Sequence, residues 1–164
     1  MLENKRTIDK RKETMDEENH VGKIQAISVS QEKGVKKTNM QRVVLKEDFG
    51  IIGDAHAGTK NRQVSLLAIE SIEKMKAKGL KVKAGDFAEN ITTQGIDLLN
   101  FKIGDRVKIG QEVILEISQI GKECHTRCNI YYQAGDCVMP KEGIFAKVLK
   151  GGEIEVGDSI VGVG

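Results

Sequence analysis

The chain has 164 residues, enough for one domain with a sizeable core, and its 39% hydrophobic and 30% charged content is that of a globular protein. A formal net charge of +2 argues against a nucleic-acid partner, which would need a clustered basic face. No apolar run approaches the roughly 18 to 20 residues of a membrane span, so a membrane partner is not expected either. Residues Met1–Arg6 lack the apolar core of a signal peptide, and the three cysteines are odd in number and crowded at one end. Both features predict a cytoplasmic protein with free or metal-bound thiols. Eighteen glycines, one proline and 4% aromatics predict a sheet-rich fold with many tight turns.

Residues 1–20 hold five Lys/Arg and six Asp/Glu with almost nothing to bury, which predicts a disordered charged arm. A single domain over 21–164 follows. Gly22–Gln31 reads as a largely buried strand. The basic turn Lys33-Gly34-Val35-Lys36-Lys37 leads to a second strand near Gln41–Leu45, and Gln63-Val64-Ser65 to a short third one. Ile69, Ile72 and Met75 recur at helical spacing and predict a helix from Leu66 to Lys78, with Ser65 as N-cap and Gly79 just past the C-terminus. Its lysines Lys74, Lys76 and Lys78 read as a solvated face. Arg106–Ile109, Val113–Ser118, Ile144–Leu149 and Ser159–Val163 are the remaining strands.

Gly-Asp pairs at 53–54, 85–86, 104–105, 135–136 and 157–158 supply turn chemistry, since Gly takes positive φ and Asp caps its own turn. Two of them enter short strands in the same local form, Lys102–Val107 and Glu155–Ile160. The fold class is therefore mainly β: a small closed or nearly closed β-barrel with a few helices.

The densest chemistry lies in Gly121-Lys122-Glu123-Cys124-His125-Thr126-Arg127-Cys128, with Cys137 nine residues further on. Cations beside a thiol lower its pKa from about 8.5 and favour the reactive thiolate. The first reading makes Cys124 a nucleophilic or sulfur-carrying thiol, with Lys122 and Arg127 stabilising the thiolate and His125 shuttling a proton. Cys128 or Cys137 would resolve a persulfide. The second reading is a metal site from Cys124, His125, Cys128 and Cys137, although the absence of a C-x2-C pair counts against a zinc knuckle. Three cysteines could also hold an iron–sulfur cluster. The loop Gly53–Arg62 carries His56, Lys60 and Arg62. It reads as an anion-binding loop or, more plainly, as a solvated Asp turn. In Gly85–Ile91, Asn90 is a candidate for a ligand edge and Glu89 for an acid or base, though such residues more often satisfy backbone groups in a barrel turn.

The order of these pieces resembles the MOSC domain, named for the C-terminal domain of molybdenum cofactor sulfurases. The matching segments are Gly53–Gly58, Arg62–Leu67, Gly85–Thr93, Gly95–Leu98, Ile103–Asp105, Gly121–Cys124, Gly143–Val148 and Gly157-Asp158. The resemblance implies a β-barrel and a sulfurtransferase-type role. The Gly-Lys-x-Cys thiol, Cys124, would accept sulfur as a persulfide from a cysteine desulfurase and deliver it for molybdenum-cofactor or metal–sulfur assembly. Pyridoxal phosphate would belong to that partner, not to this domain. The alternatives are a molybdenum-pterin binding protein with Cys124 on the metal, and a barrel with a structural Cys/His metal site. The pterin phosphate gives Arg62, Lys60 and Arg127 an electrostatic task. Cys128 and Cys137 go beyond the minimal motif.

Overall fold

The computed structural model describes residues 21–33, 35–121 and 142–163. The expected arm, 1–20, lies outside them. In chain order the strands are β1 (Val21–Val29), β2 (Thr38–Met40), β3 (Arg42–Lys46), β4 (Gly50–Ile51), β5 (Val64–Ala68), β6 (Ile91–Gln94), β7 (Arg106–Ile109), β8 (Val113–Ile120), β9 (Ile144–Lys150), β10 (Gly152–Glu155) and β11 (Ser159–Val163). Helix α1 (Ile69–Ala77) lies between β5 and β6, and a 3-10 turn covers Leu98–Asn100. Among the described residues no helix is long and apolar enough to cross a membrane.

Seven strands close into a barrel in the order β11, β7, β8, β9, β5, β6, β1, with β1 pairing back onto β11. The expected β-barrel is what forms. β2 continues the sheet beyond β1, and β10, β3 and β4 make a separate three-stranded sheet. All pairings in the barrel are antiparallel except β5 with β6, which run parallel across the crossover that carries α1. The small sheet packs into the barrel's core: Val43, Leu45, Ile51 and Ile154 join Ile24, Leu66, Leu115 and Ile117 in one buried cluster. The chain passes from barrel to small sheet at Gly151, where a Cβ would run onto the Leu45 carbonyl oxygen. A bulge at Gln25, where the β1–β6 register shifts, puts both Ile24 and Ile27 inside although they stand three apart.

The predicted helix begins three residues later than its periodicity suggests. Leu66, Leu67 and Ala68 belong to β5, and Ser65 is a strand residue, not an N-cap; the residue preceding the helix is Ala68, without a side-chain cap. The cause is burial on both faces. Leu66 points into the barrel core, while Leu67 packs with Ile72, Met75, Val82, Phe87 and Phe145 in a second cluster under α1. A strand covered on both sides is continuously apolar, and such a run cannot be told from a helix by periodicity. The C-terminus ends as expected: Gly79 has φ +91°, its N–H donates to the Lys76 carbonyl at 2.9 Å, and that of Leu80 to the Met75 carbonyl at 3.4 Å.

Three Gly-Asp turns share one construction. The Asp N–H closes the turn onto the carbonyl three residues back, and its carboxylate accepts the N–H of that same residue. This holds for Asp86 with Lys83, Asp105 with Lys102 and Asp158 with Glu155, at 2.8–3.0 Å for the carboxylate bonds. Their glycines have φ of +94° to +96°. Gly135-Asp136 lies outside the described residues.

Glu89 stands fully buried just before β6, with no cation on it among the described residues. Its Oε1 accepts the N–H of Gly85 (2.9 Å) and Phe87 (3.3 Å), and its Oε2 the Thr92 hydroxyl (3.0 Å). Burial pushes its pKa up, and the three donors oppose that shift without cancelling it. A raised folded-state pKa means that the contribution to stability is fully present below the unfolded value of about 4.3 and is lost as pH rises through the folded value. Glu89→Gln keeps an acceptor for the two N–H groups and removes the buried charge. Its stability relative to wild type should therefore improve as pH rises from the unfolded value through the folded one and level off above it, as read from urea titrations. Glu89→Ala strands three donors and should cost about 1–3 kcal/mol or more at every pH.

Candidate functional site

The loop 53–62, between β4 and β5, departs from the other Gly-Asp turns. Gly53 has φ +94° and the Asp54 N–H closes onto the Ile51 carbonyl at 3.1 Å, as elsewhere. The carboxylate, however, turns inward. Its Oδ1 accepts from the Lys37 ammonium (2.8 Å) and the Ser30 N–H (3.0 Å), and its Oδ2 from the His56 N–H (3.0 Å). Both side chains of the Lys37–Asp54 pair are completely buried. Lys37 also donates to the Ser30 hydroxyl at 2.8 Å. Desolvation raises the Asp54 pKa, but the contact with His56, the Lys37 ammonium and the two backbone N–H groups outweigh it, and the carboxyl is held well below the usual carboxylate range.

His56 sits over this pair. Its Nδ1 is buried and lies 3.4 Å from Asp54 Oδ2, too poorly aligned for a hydrogen bond, so the contact is electrostatic. The loop around it is pinned: Ala55 donates to the Ser30 carbonyl, Gly58 to the Phe49 carbonyl, and the Thr59 hydroxyl to the His56 carbonyl, all at 2.8 Å. Lys60 is exposed on the same loop.

The far end of the loop reaches β8 and β9. A bulge between Ile117 and Gln119 frees Ser118, whose hydroxyl donates to the Asn61 carbonyl at 2.6 Å. The bulge also aims Gln119 at Arg62: the Arg62 Nε donates to Gln119 Oε1 at 3.1 Å, and the guanidinium lies over the Phe145 ring, 5.3 Å from its centroid. Gln119 Nε2 in turn donates to the Gly121 carbonyl at 2.8 Å, and the Gly121 N–H to the Gly143 carbonyl at 2.7 Å. The two terminal amino groups of Arg62 find no acceptor among the described residues. A guanidinium held flat by one ring and one amide, its paired N–H groups without an acceptor among the described residues, is suited to grip a carboxylate or phosphate.

Asn90 has another task. It is fully buried, its Oδ1 accepts from the Ser65 N–H (3.0 Å) and hydroxyl (3.1 Å), and its Nδ2 donates to the Ser28 carbonyl (3.1 Å). It braces β1, β5 and the start of β6 and is not positioned to meet a ligand edge. Lys122, Cys124, His125, Arg127, Cys128 and Cys137 all lie outside the described residues. Among the described residues no group of three or more His, Cys, Asp or Glu could hold a metal ion.

Sequence reasoning missed Lys37, Ser30, Gln119 and Phe145. Lys37 reads as one more surface charge in a basic turn, and nothing in composition flags its burial. Gln119 did leave a signal: it falls in the inward phase set by Val113, Leu115 and Ile117, where a polar residue marks either a bulge or a site.

Removing one member of a buried ion pair leaves an uncompensated charge. Lys37→Met should destabilise the protein by about 3–5 kcal/mol at neutral pH, and Lys37→Met/Asp54→Asn should recover most of that loss. The lowered pKa of Asp54 means that its contribution is present above about pH 4 and is lost as pH falls through the folded value. The gap between Lys37→Met and wild type should accordingly narrow in acid, as read from urea unfolding at a series of pH values.

The profile of the MOSC domain matches residues 53–161, well over half of the chain. The barrel is similar to the YuaD protein of Bacillus subtilis, with TM-score 0.73 and 18% identity over 85% of this chain and 94% of that one. It is also similar to YiiM of Geobacillus stearothermophilus (TM-score 0.65, 21% identity, 87% of this chain and 75% of that one) and to YiiM of Escherichia coli (0.61, 17%, 87% and 70%). At these identities the likeness establishes the fold alone. No curated protein matches the sequence significantly. Loop 53–62, strands β5 to β9 and the Arg62–Gln119 contact all fall within the matched residues, and the chain belongs to the MOSC domain family.

Proposed function

We propose that this protein is a sulfur carrier of the MOSC family, in which Cys124 accepts sulfur as a persulfide and passes it on for molybdenum-cofactor or metal–sulfur assembly. The observation that carries the reading is the neck at the top of β8 and β9. Gly121 and Gly143 are hydrogen-bonded at 2.7 Å, and Arg62 stands beside them on Gln119 and Phe145. Cys124 follows Gly121 by three residues, a span of at most roughly 11 Å of chain. A thiol that comes within reach of the Arg62 guanidinium would have its thiolate favoured.

The chemistry is thiol exchange without net redox change. The Cys124 thiolate attacks the terminal sulfur of a desulfurase persulfide. The new S–S bond forms on Cys124, and the donor cysteine leaves as thiolate. An acceptor nucleophile then takes the terminal sulfur, and Cys124 departs as thiolate. Arg62 binds the anionic group of donor or acceptor and orients it.

Incubation with a cysteine desulfurase and cysteine should add one sulfur atom to the intact mass, an adduct removed by reductant and absent in Cys124→Ala. Arg62→Gln should slow loading by about tenfold or more, the loss of one charge-assisted bond, while leaving the fold intact. No adduct under conditions that load a control acceptor would sink the carrier reading.

A second reading is favoured by the same guanidinium. Its N–H groups that find no acceptor among the described residues suit the phosphate of a molybdenum pterin, which when bound would supply the redox and oxygen-transfer chemistry of its metal. Arg62 would hold the phosphate, with Lys60 nearby on the loop. Protein co-expressed with cofactor synthesis and purified anaerobically should then carry molybdenum and a fluorescent oxidised pterin in equal amounts, and Arg62→Gln should lose both together. Absence of both from the wild-type protein would count against it.

A further inference from the structure

Two basic segments that are about forty residues apart in sequence meet on one side of the molecule. Lys36 belongs to the turn before β2, and Lys76, Lys81 and Lys83 to the end of α1 and the connection that follows. They rim a groove of about 980 Å³ floored by Leu80 and Val82, with Thr38 and Asn39 of β2 on its other wall. All four lysines are exposed. Asp86 is the one acidic residue in the lining, and it is engaged by the backbone N–H and ammonium of Lys83 (3.0 and 3.8 Å). Lys76 makes an exposed pair with Glu73 at 3.2 Å, of little energetic weight. Lys36 and Lys81 have no acidic partner among the described residues.

The walls are built, not incidental. The Lys37 N–H donates to the Gly85 carbonyl at 2.9 Å and Asn39 Nδ2 to the Ala84 carbonyl at 2.9 Å, so the turn and the connection are stitched together. A Cβ on Gly85 would lie 2.6 Å from the Lys37 carbonyl oxygen, so the two segments touch backbone to backbone. A second groove, beside β10, has the opposite sign, with Glu112, Glu153, Glu155 and Asp158 against Arg42. The two grooves thus carry opposite charge although the net charge of the chain is only +2.

We propose that the lysine-rimmed groove is the docking surface for an acidic, extended segment of a partner protein. Charge complementarity names the partner's chemistry. Among the described residues the groove has no aromatic side chain on which a base could stack, and the acidic groove elsewhere repels a long polyanion. Both favour a carboxylate-rich peptide over nucleic acid. The buried Lys37–Asp54 pair ties one wall of the groove to loop 53–62, so a docked partner bears on the scaffold of His56 and Arg62. The inference stands independently of any persulfide chemistry.

The test is fluorescence anisotropy with a labelled peptide of eight glutamates in a Gly/Ser frame. Binding to the whole chain should weaken at least about tenfold between about 50 and 300 mM salt. Lys36→Glu/Lys81→Glu/Lys83→Glu, all at exposed positions, should weaken it at least about tenfold at low salt, while Lys108→Glu/Lys150→Glu on the barrel should change it less than about threefold. Equal binding by wild type and the triple variant would overturn the proposal. So would tighter binding at equal salt to a DNA duplex or to vesicles with 30% phosphatidylserine. Salt-sensitive oligomers of the chain alone, lost in the triple variant, would assign the groove to a second copy instead.

Discussion

The buried pair of Lys37 and Asp54 is the joint on which the candidate site hangs. It draws the basic turn after β1 under loop 53–62, fixes the Ser30 end of β1, and sets the carboxylate against His56. Two ions removed from water have a high desolvation cost, and only their mutual attraction with the added hydrogen bonds offsets it. Here the offset is nearly complete in geometry: Asp54 receives an ammonium and two backbone N–H groups. A loop supported in this way holds its shape from within, and among the described residues Arg62 is engaged only by its bond to Gln119 and its contact with the Phe145 ring.

The barrel was largely readable from sequence because its physics is local. Alternation in β7, β8 and β11, and Gly-Asp turns entering β7 and β11, specify strands and reversals without reference to anything distant. β5 was misread for the opposite reason. Its apolar run answers to two cores, one inside the barrel and one under α1, and only tertiary structure supplies both. The bulge at Gln25 was likewise invisible and the one at Ser118 was marked only by the polar Gln119 in an inward phase, since each is a disagreement in register between two strands and belongs to neither alone.

Of the site, the sequence displayed Arg62 and His56 as polar residues in a Gly-bounded loop. It said nothing of what they lean on. Lys37 looked like any surface lysine, and Asn90 like a ligand contact; burial reverses both, making the lysine an internal counter-ion and the asparagine a brace. Among the described residues three Asp of the Gly-Asp turns cap themselves, and the fourth, Asp54, spends its carboxylate elsewhere. The dipeptide alone cannot tell the cases apart, because the difference lies in where the partner cation comes from.

The bond between Gly121 and Gly143 has a consequence of its own. β8 and β9 pair up to Ile120 and Ile144 and are locked once more just beyond them, which fixes how far apart the ends of the connection between them stand. The entropy of closing a loop grows only logarithmically with its length, about 0.6 kcal/mol for each doubling. The ends that carry the cysteine-bearing connection are thus set by backbone bonds of the barrel itself, and a change in the length of that connection would alter its closure entropy only slightly.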